Sequence, residues 1–211
     1  ENRFEQYLFE FLNIGNDNYI VLDCNAAQHG NNLFSIIDSK GNIKKRIFEQ
    51  SELESKRNGL IVTWRSLSLF KSNLYFMPPY CDTIYSMDNK KNIKRLYYID
   101  YHNKNIPAKL FDKNDDVVSL GNKLSKLEDY MRGTAIGYTD NYIYVGSANK
   151  LYQGFFTLYS KMNKHILTAH KIIDDMFLKG NVITVTEKNL PHNMDGNDIL
   201  WPLDPEYLIN G

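Results

Sequence analysis

Hydrophobic residues along the chain fall in short bursts of four to eight, separated by clusters of Asn, Asp, Gly and Lys. That rhythm predicts many short β-strands joined by tight polar turns. Three bursts open on an asparagine: NYIVLDC at Asn18, NLYFMP at Asn73 and NYIYVG at Asn141. Each is followed by a second burst, LFSIID from Leu33, DTIYSMD from Asp82 and FFTLYSK from Phe155. A polar turn comes next (SKGN, NKKN, MNKH), and then a strand that begins with Ile43, Ile93 or Ile166. A further apolar run precedes each asparagine: YLFEFLNI, LIVTWRSLSLF and MRGTAIGY.

The repeating unit is therefore four antiparallel strands in chain order, the composition of one propeller blade. Alternation within the strands is imperfect, as in Leu33, Ser35 and Ile37, which fits sheets packed on both faces better than a sheet with one wet side. A lone meander cannot bury two faces, whereas blades stacked around an axis bury each other's. The rival architecture, a β-sandwich, has no reason to repeat one order of turns. The expected organisation is all-β: a single, partial β-propeller with blades at 7–50, 59–101 and 130–173, an inter-blade insertion at 102–129, and an incomplete last blade at 174–209. A small helical insertion is expected near 107–130, because Leu120, Leu124, Leu127 and Met131 recur at helical spacing.

Composition narrows the function classes. Lys plus Arg and Asp plus Glu both number 25, so the formal net charge is zero. Nucleic-acid binders draw most of their affinity from phosphate neutralisation, and no nucleic-acid partner is expected for this chain. No apolar run approaches the roughly 18 residues that span a bilayer, so no transmembrane segment is expected. The signatures of common hydrolases, zinc proteases and nucleotide-binding loops are missing from the sequence. Asp112, Asn114 and Asp116 have the spacing that opens a calcium loop, but Val117 stands at the turn-glycine position and Lys123 at that of the closing Glu. A solvated acidic loop is the expectation there, with no metal and no cofactor. His165 and His170 are five apart on one expected strand, on opposite faces, and cannot share an ion. Basic clusters at Lys44–Lys45–Arg46 and at Lys90, Lys91, Lys94 and Arg95 read as charged outer edges that discourage strand pairing.

Residues 80–111, YCDTIYSMDNKKNIKRLYYIDYHNKNIPAKLF, carry a more specific pattern. Asp82-Thr83-Ile84-Tyr85, Ile99-Asp100-Tyr101 and Ile106-Pro107 resemble the strand, turn and exit of the six-bladed β-propeller proteins of Bacteroidetes, with Tyr101 and His102 in place of the usual Phe-Gly. The closing stretch DGNDILWPLDPEYLI, from Asp195, is similar to that family's final blade. The resemblance implies an extracytoplasmic lipoprotein, at the periplasm or cell surface. It brings no catalytic motif to carry over. Six blades need more chain than is present, so these residues are expected to form the C-terminal part of a longer polypeptide. They are not expected to close a ring alone, and a lipid anchor is expected among preceding residues.

Propellers bind where loops gather at one mouth of the central channel. In this register the candidates are His29, Tyr80, Asp82 and Tyr152 on loops after second strands, with Trp64, Arg65 and Arg132 on innermost strands. Aromatic faces beside hydrogen-bonding groups suit a glycan, a peptide or a partner protein, although inter-blade packing explains Trp64 equally well. The leading expectation is a non-catalytic binding propeller. A hydrolase or lyase with its site at the channel mouth, or a structural subunit of an envelope assembly, are the alternatives.

Overall fold

A computed structural model describes residues 8–23, 31–51, 67–78, 80–107, 110, 112, 114–127, 129–149, 153–174, 181–185, 193–195 and 198–200. Three four-stranded antiparallel meanders dominate them. The first sheet is β1 (Leu8–Gly15), β2 (Asn18–Asp23), β3 (Asn32–Asp38) and β4 (Ile43–Glu49). The second is β5 (Leu67–Phe70), β6 (Asn73–Phe76), β7 (Thr83–Met87) and β8 (Ile93–Tyr98). After one helix, α1 (Val117–Leu124), the third follows as β9 (Arg132–Tyr138), β10 (Tyr142–Ala148), β11 (Gly154–Ser160) and β12 (Ile166–Ala169). Within each sheet the spatial order is the chain order. Two hairpins complete the described strands: β13 (Lys171–Asp174) with β14 (Asn181–Thr184), and β15 (Asn193–Asp195) with β16 (Asp198–Leu200).

Local chemistry explains the turns. Asn16 and Asp17 join β1 to β2 with φ of 53° each, and Lys71 and Ser72 join β5 to β6 with φ of 48° and 65°. Two consecutive positive-φ residues make the hairpin turn whose twist matches that of the strands. Between third and fourth strands, the first two sheets use one device twice. The Asp38 carboxylate accepts from the backbone N–H of Lys40 and Asn42 and from the Asn42 side chain, and Asp88 accepts likewise from the backbone and side chain of Asn92.

Period-two alternation then sorts side chains between neighbouring sheets. On β6, Leu74 and Phe76 join Ile20, Leu22, Phe34 and Ile36 in a core shared with the first sheet. The intervening Tyr75, and Met77 just beyond the strand, join Ile136, Ile143 and Val145 in a core shared with the third. On β7, Met87 serves the first core and Ile84 the second. Edge-to-face rings fill the first boundary, with Phe34 and Phe76 4.9 Å apart and Phe48 and Phe76 5.1 Å apart. The first strand β5 contacts both β1 and β9, so neighbouring sheets meet through their first strands, as blades do about an axis. Outermost β4 and β8 carry the Lys44–Arg46 and Lys94–Arg95 clusters on sheet edges.

The structure departs from the sequence reading in two details. The helix is shorter than the Leu120-to-Met131 spacing predicts: it ends at Leu124, and Met131 instead forms a parallel bridge with Asn105. Residues 166–172, predicted as one strand, divide at His170, after which Lys171–Asp174 pairs with β14.

Candidate functional site

In a meander, the loop after the second strand, the exit of the fourth and the start of the first all fall at one end of the sheet. At that end of the second sheet the chain leaves β8 through residues 99–106, a turn held by its own polar groups. The Asn105 side chain accepts from the Tyr101 N–H at 2.8 Å and donates to the Ile99 carbonyl at 2.7 Å. Asp100 accepts from the His102 N–H at 2.8 Å, and Ile99 N–H donates to the Asp82 carbonyl at 2.7 Å. His102 and Asn103 take positive φ, of 51° and 66°. The Met131 N–H then donates to the Lys104 carbonyl at 2.8 Å, joining this turn to the entry of the third sheet.

Tyr101 projects from the turn into the third sheet, where its hydroxyl lies 2.9 Å from the buried Ser147 Oγ. Burial drives the phenol pKa well above its ordinary value, the Asp82 charge adds to the rise, and the Ser147 hydrogen bond opposes it. Tyr101 is therefore a neutral hydroxyl throughout the physiological range.

Beside this junction the second and third sheets part, leaving a cleft of about 720 Å³. Its walls are Tyr97 and Tyr98 of β8, Phe155 and Tyr159 of β11, and Ile166 and Thr168 of β12. Tyr97 and Tyr159 meet edge to face with centroids 5.8 Å apart, and Ile84, Ile143 and Val145 form the apolar base. Exposed Asp100, His102 and Lys104 mark the end nearest the turn. Tyr98 and Ile166 are 67% and 69% exposed although both line the cleft, so its mouth is apolar and open to solvent. Such a surface can bury an apolar or aromatic group and offers polar contacts at one end.

Of the residues singled out from the sequence, Tyr80, Asp82 and Arg132 lie at the loop-bearing end, Tyr80 with φ of 52° and Arg132 as the first residue of β9. None of the three lines the cleft, and Asp82 touches its lining through the Ile99 N–H and through its charge on Tyr101. His29, Trp64, Arg65 and Tyr152 lie outside the described residues. Tyr97, Tyr98 and Tyr159 were not among the residues singled out from the sequence. The signal available for Tyr97 and Tyr98 was a Tyr-Tyr pair that follows the charged half of an outer strand, and Tyr159 on a third strand carried none.

The acidic stretch before α1 is a structural device. Asp116 caps the helix by accepting from the Ser119 N–H at 2.7 Å, Asp112 accepts from the Asn114 N–H, and Asp115 pairs with Lys123 at 2.6 Å. Among the described residues no three His, Cys, Asp or Glu side chains gather as metal ligands do. No helix among them is long and apolar enough to cross a membrane.

Comparison with known proteins agrees with the architecture. No functionally curated protein matches the chain in sequence. A crystal structure of a Bacteroides fragilis protein described as a "putative exported protein", solved at 2.60 Å, superposes with a TM-score of 0.54 at 13% identity. The match covers 80% of this chain and 47% of that one, so the chain spans about half the length of its structural relative. The model of the DUF5128 family, described as a 6-bladed beta-propeller, matches residues 1–189. With three consecutive blade-like meanders packed through their first strands, the chain belongs to the six-bladed β-propeller family.

Proposed function

We propose that this protein is a non-catalytic binding propeller that works outside the cytoplasm and holds its ligand in the cleft between the second and third blades. The observation that carries this reading is the aromatic wall of the cleft, in which Tyr98 stands exposed beside the partly buried Tyr97 and Tyr159. Large exposed apolar rings beside a concave apolar base are costly to leave wet and mark interaction sites. Two of the polar groups at the cleft hold structure, Asp100 on a backbone N–H and Tyr101 on Ser147, and exposed His102 and Lys104 stand at one end. General acid–base work needs two titratable groups converging on one reacting atom, and the cleft wall is built chiefly of rings and aliphatic side chains. The description of the Bacteroides fragilis relative as a "putative exported protein" supports an extracytoplasmic site of action. A peptide or protein segment suits an apolar wall of this kind better than a free sugar, whose hydroxyls would need more hydrogen-bonding partners than the rim provides.

Anilinonaphthalene sulfonate fluorescence tests the reading. The native protein should bind the dye saturably, and Tyr98→Ala, at an exposed ring that leaves the inter-blade core intact, should weaken binding several-fold. Equal dye binding by the two proteins would remove the cleft as the site.

A further inference from the structure

The outermost strands of the three blades meet solvent differently. β4 exposes Lys44, Lys45 and Arg46, and β8 exposes Lys94 and Arg95, so both edges repel an incoming strand. β12 reads Ile-Leu-Thr-Ala, carries no charge, and leaves Ile166 and Leu167 69% and 60% exposed. Among the described residues no strand pairs with its outer side. The Ser160 N–H donates to the His165 carbonyl at 2.8 Å, and the register from there is unshifted through Tyr159–Ile166, Leu158–Leu167, Thr157–Thr168 and Phe156–Ala169. In an antiparallel ladder hydrogen-bonded pairs alternate with non-bonded ones. Leu167 and Ala169 therefore bond to β11, while Ile166 and Thr168 turn their N–H and C=O groups away from it. The side chains of those same two residues line the cleft.

Charge adds a third feature. Lys164 and His165 precede β12, His170 and Lys171 follow it, and no acidic residue lies between Gln153 and Ile173, just before Asp174. The free edge is thus bracketed by basic groups at both ends.

We propose that β12 is the docking edge for an extended segment of a partner protein, which adds to the third blade as a fifth strand. Alternate apolar side chains of the segment enter the cleft between Tyr98 and Ile166, and acidic residues at its ends face the basic flanks. Main-chain hydrogen bonds supply affinity in this mode, and the pockets beneath alternate side chains supply selectivity. The proposal rests on the cleft being the binding site and adds the class of occupant and its geometry.

A fluorescein-labelled peptide, Glu-Asp-Val-Tyr-Val-Tyr-Val-Glu-Asp, is the probe, read by fluorescence anisotropy. The native protein should bind it saturably. Thr168→Pro removes an outward N–H without removing a ladder bond, and should weaken binding about tenfold, the worth of one net hydrogen bond. Thr168→Val loses the same hydroxyl but keeps the N–H, and should bind about tenfold more tightly than Thr168→Pro. The same peptide N-methylated at alternate residues, or with Lys in place of its acidic residues, should also bind about tenfold more weakly, and neither test depends on how a variant folds. Dye binding by the native protein is scored beside peptide binding: saturable dye binding without peptide binding marks failure of the edge, and loss of both marks failure of the cleft. Absence of peptide binding, or equal binding by Thr168→Pro and by the methylated peptide, would overturn the proposal. So would self-association of the native protein that Thr168→Pro abolishes, because a second copy would then be the occupant.

Discussion

Tyr75 and Tyr138 stack face to face across the boundary of the second and third blades, with 3.6 Å between ring centroids and 7° between planes. Isolated aromatic pairs prefer offset or edge-on contacts, because face-on rings bring like charge together. The other face of Tyr138 carries the Lys161 ammonium, 3.9 Å from the centroid, which draws on the same π density and eases the stack. Lys161 also donates to the Thr139 carbonyl, and burial lowers its pKa, against a smaller raising effect from Asp140. Burial likewise drives the Tyr138 phenol upward, helped by the neighbouring Tyr75 and Tyr97 hydroxyls.

This arrangement makes Tyr138 a pin between blades. Tyr138→Ala should cost about 2–3 kcal/mol in urea unfolding, below the full cost of a buried ring because Tyr138 is only partly buried. Lys161→Met should cost about 1 kcal/mol. The double variant should lose less than the two effects added, since removing the ring leaves the ammonium nothing to cover. Strict additivity would show that Lys161 acts elsewhere.

Lys91 and Gly41 occupy matching places in the turns that close the second and first blades, with φ of 69° and 86°. A side chain in this left-handed region costs about 1 kcal/mol, and glycine escapes that cost. Lys91→Gly should therefore raise the urea midpoint by an amount corresponding to about 0.5–1 kcal/mol. Gly41→Ala should lower it by a similar amount. A fall in stability for Lys91→Gly would mean that its side chain matters more than its backbone.

Those turns also show which part of the structure was legible. Asp38 with Asn42, and Asp88 with Asn92, are four residues apart and bond within the turn, so the sequence displays the device whole. Asn18 and Asn73 open their strands as the pattern predicts. The cleft was not legible, because Tyr97 and Tyr159 come from different blades and meet only through the packing angle between sheets. Periodicity identifies a strand as outermost but does not tell how far neighbouring blades splay. The helix was overextended for a related reason: its spacing looked continuous, yet the Met131 N–H is committed to the distant Lys104 carbonyl.

Acid should loosen the first two blades through the same turns. The Asn42 and Asn92 side chains, then their backbone N–H groups, hold the Asp38 and Asp88 carboxyls below their ordinary pKa. A carboxyl whose pKa is lower folded than unfolded stabilises the fold fully above its unfolded value of about 3.9. That contribution disappears as pH falls through the lower, folded value. The native protein should lose urea resistance below about pH 4, and Asp38→Asn with Asp88→Asn should decline less steeply over that range. Parallel curves for the two proteins would assign the acid sensitivity to other carboxylates.

Gly133 should resist even the smallest side chain. It sits on β9, and a Cβ there would fall well inside van der Waals contact of the Met77 side chain and 3.4 Å from the Tyr101 hydroxyl. Met77 is buried in the core shared by the second and third blades, and Tyr101 is held by Ser147. A methyl group must therefore displace Met77, because the Tyr101 distance is an ordinary contact. Methionine is compliant, with three rotatable bonds and no hydrogen bond to lose. Its retreat should limit the cost of Gly133→Ala to about 1–2 kcal/mol. Met77→Ala alone should cost about 2–4 kcal/mol by opening a cavity. Placing both substitutions together should cost little more than Met77→Ala, because the new methyl group then enters vacated space. Urea unfolding of the three variants measures this directly. Full additivity would show that the clash is taken up by Tyr101, and dye binding at the cleft would then fall in Gly133→Ala even with Met77 removed.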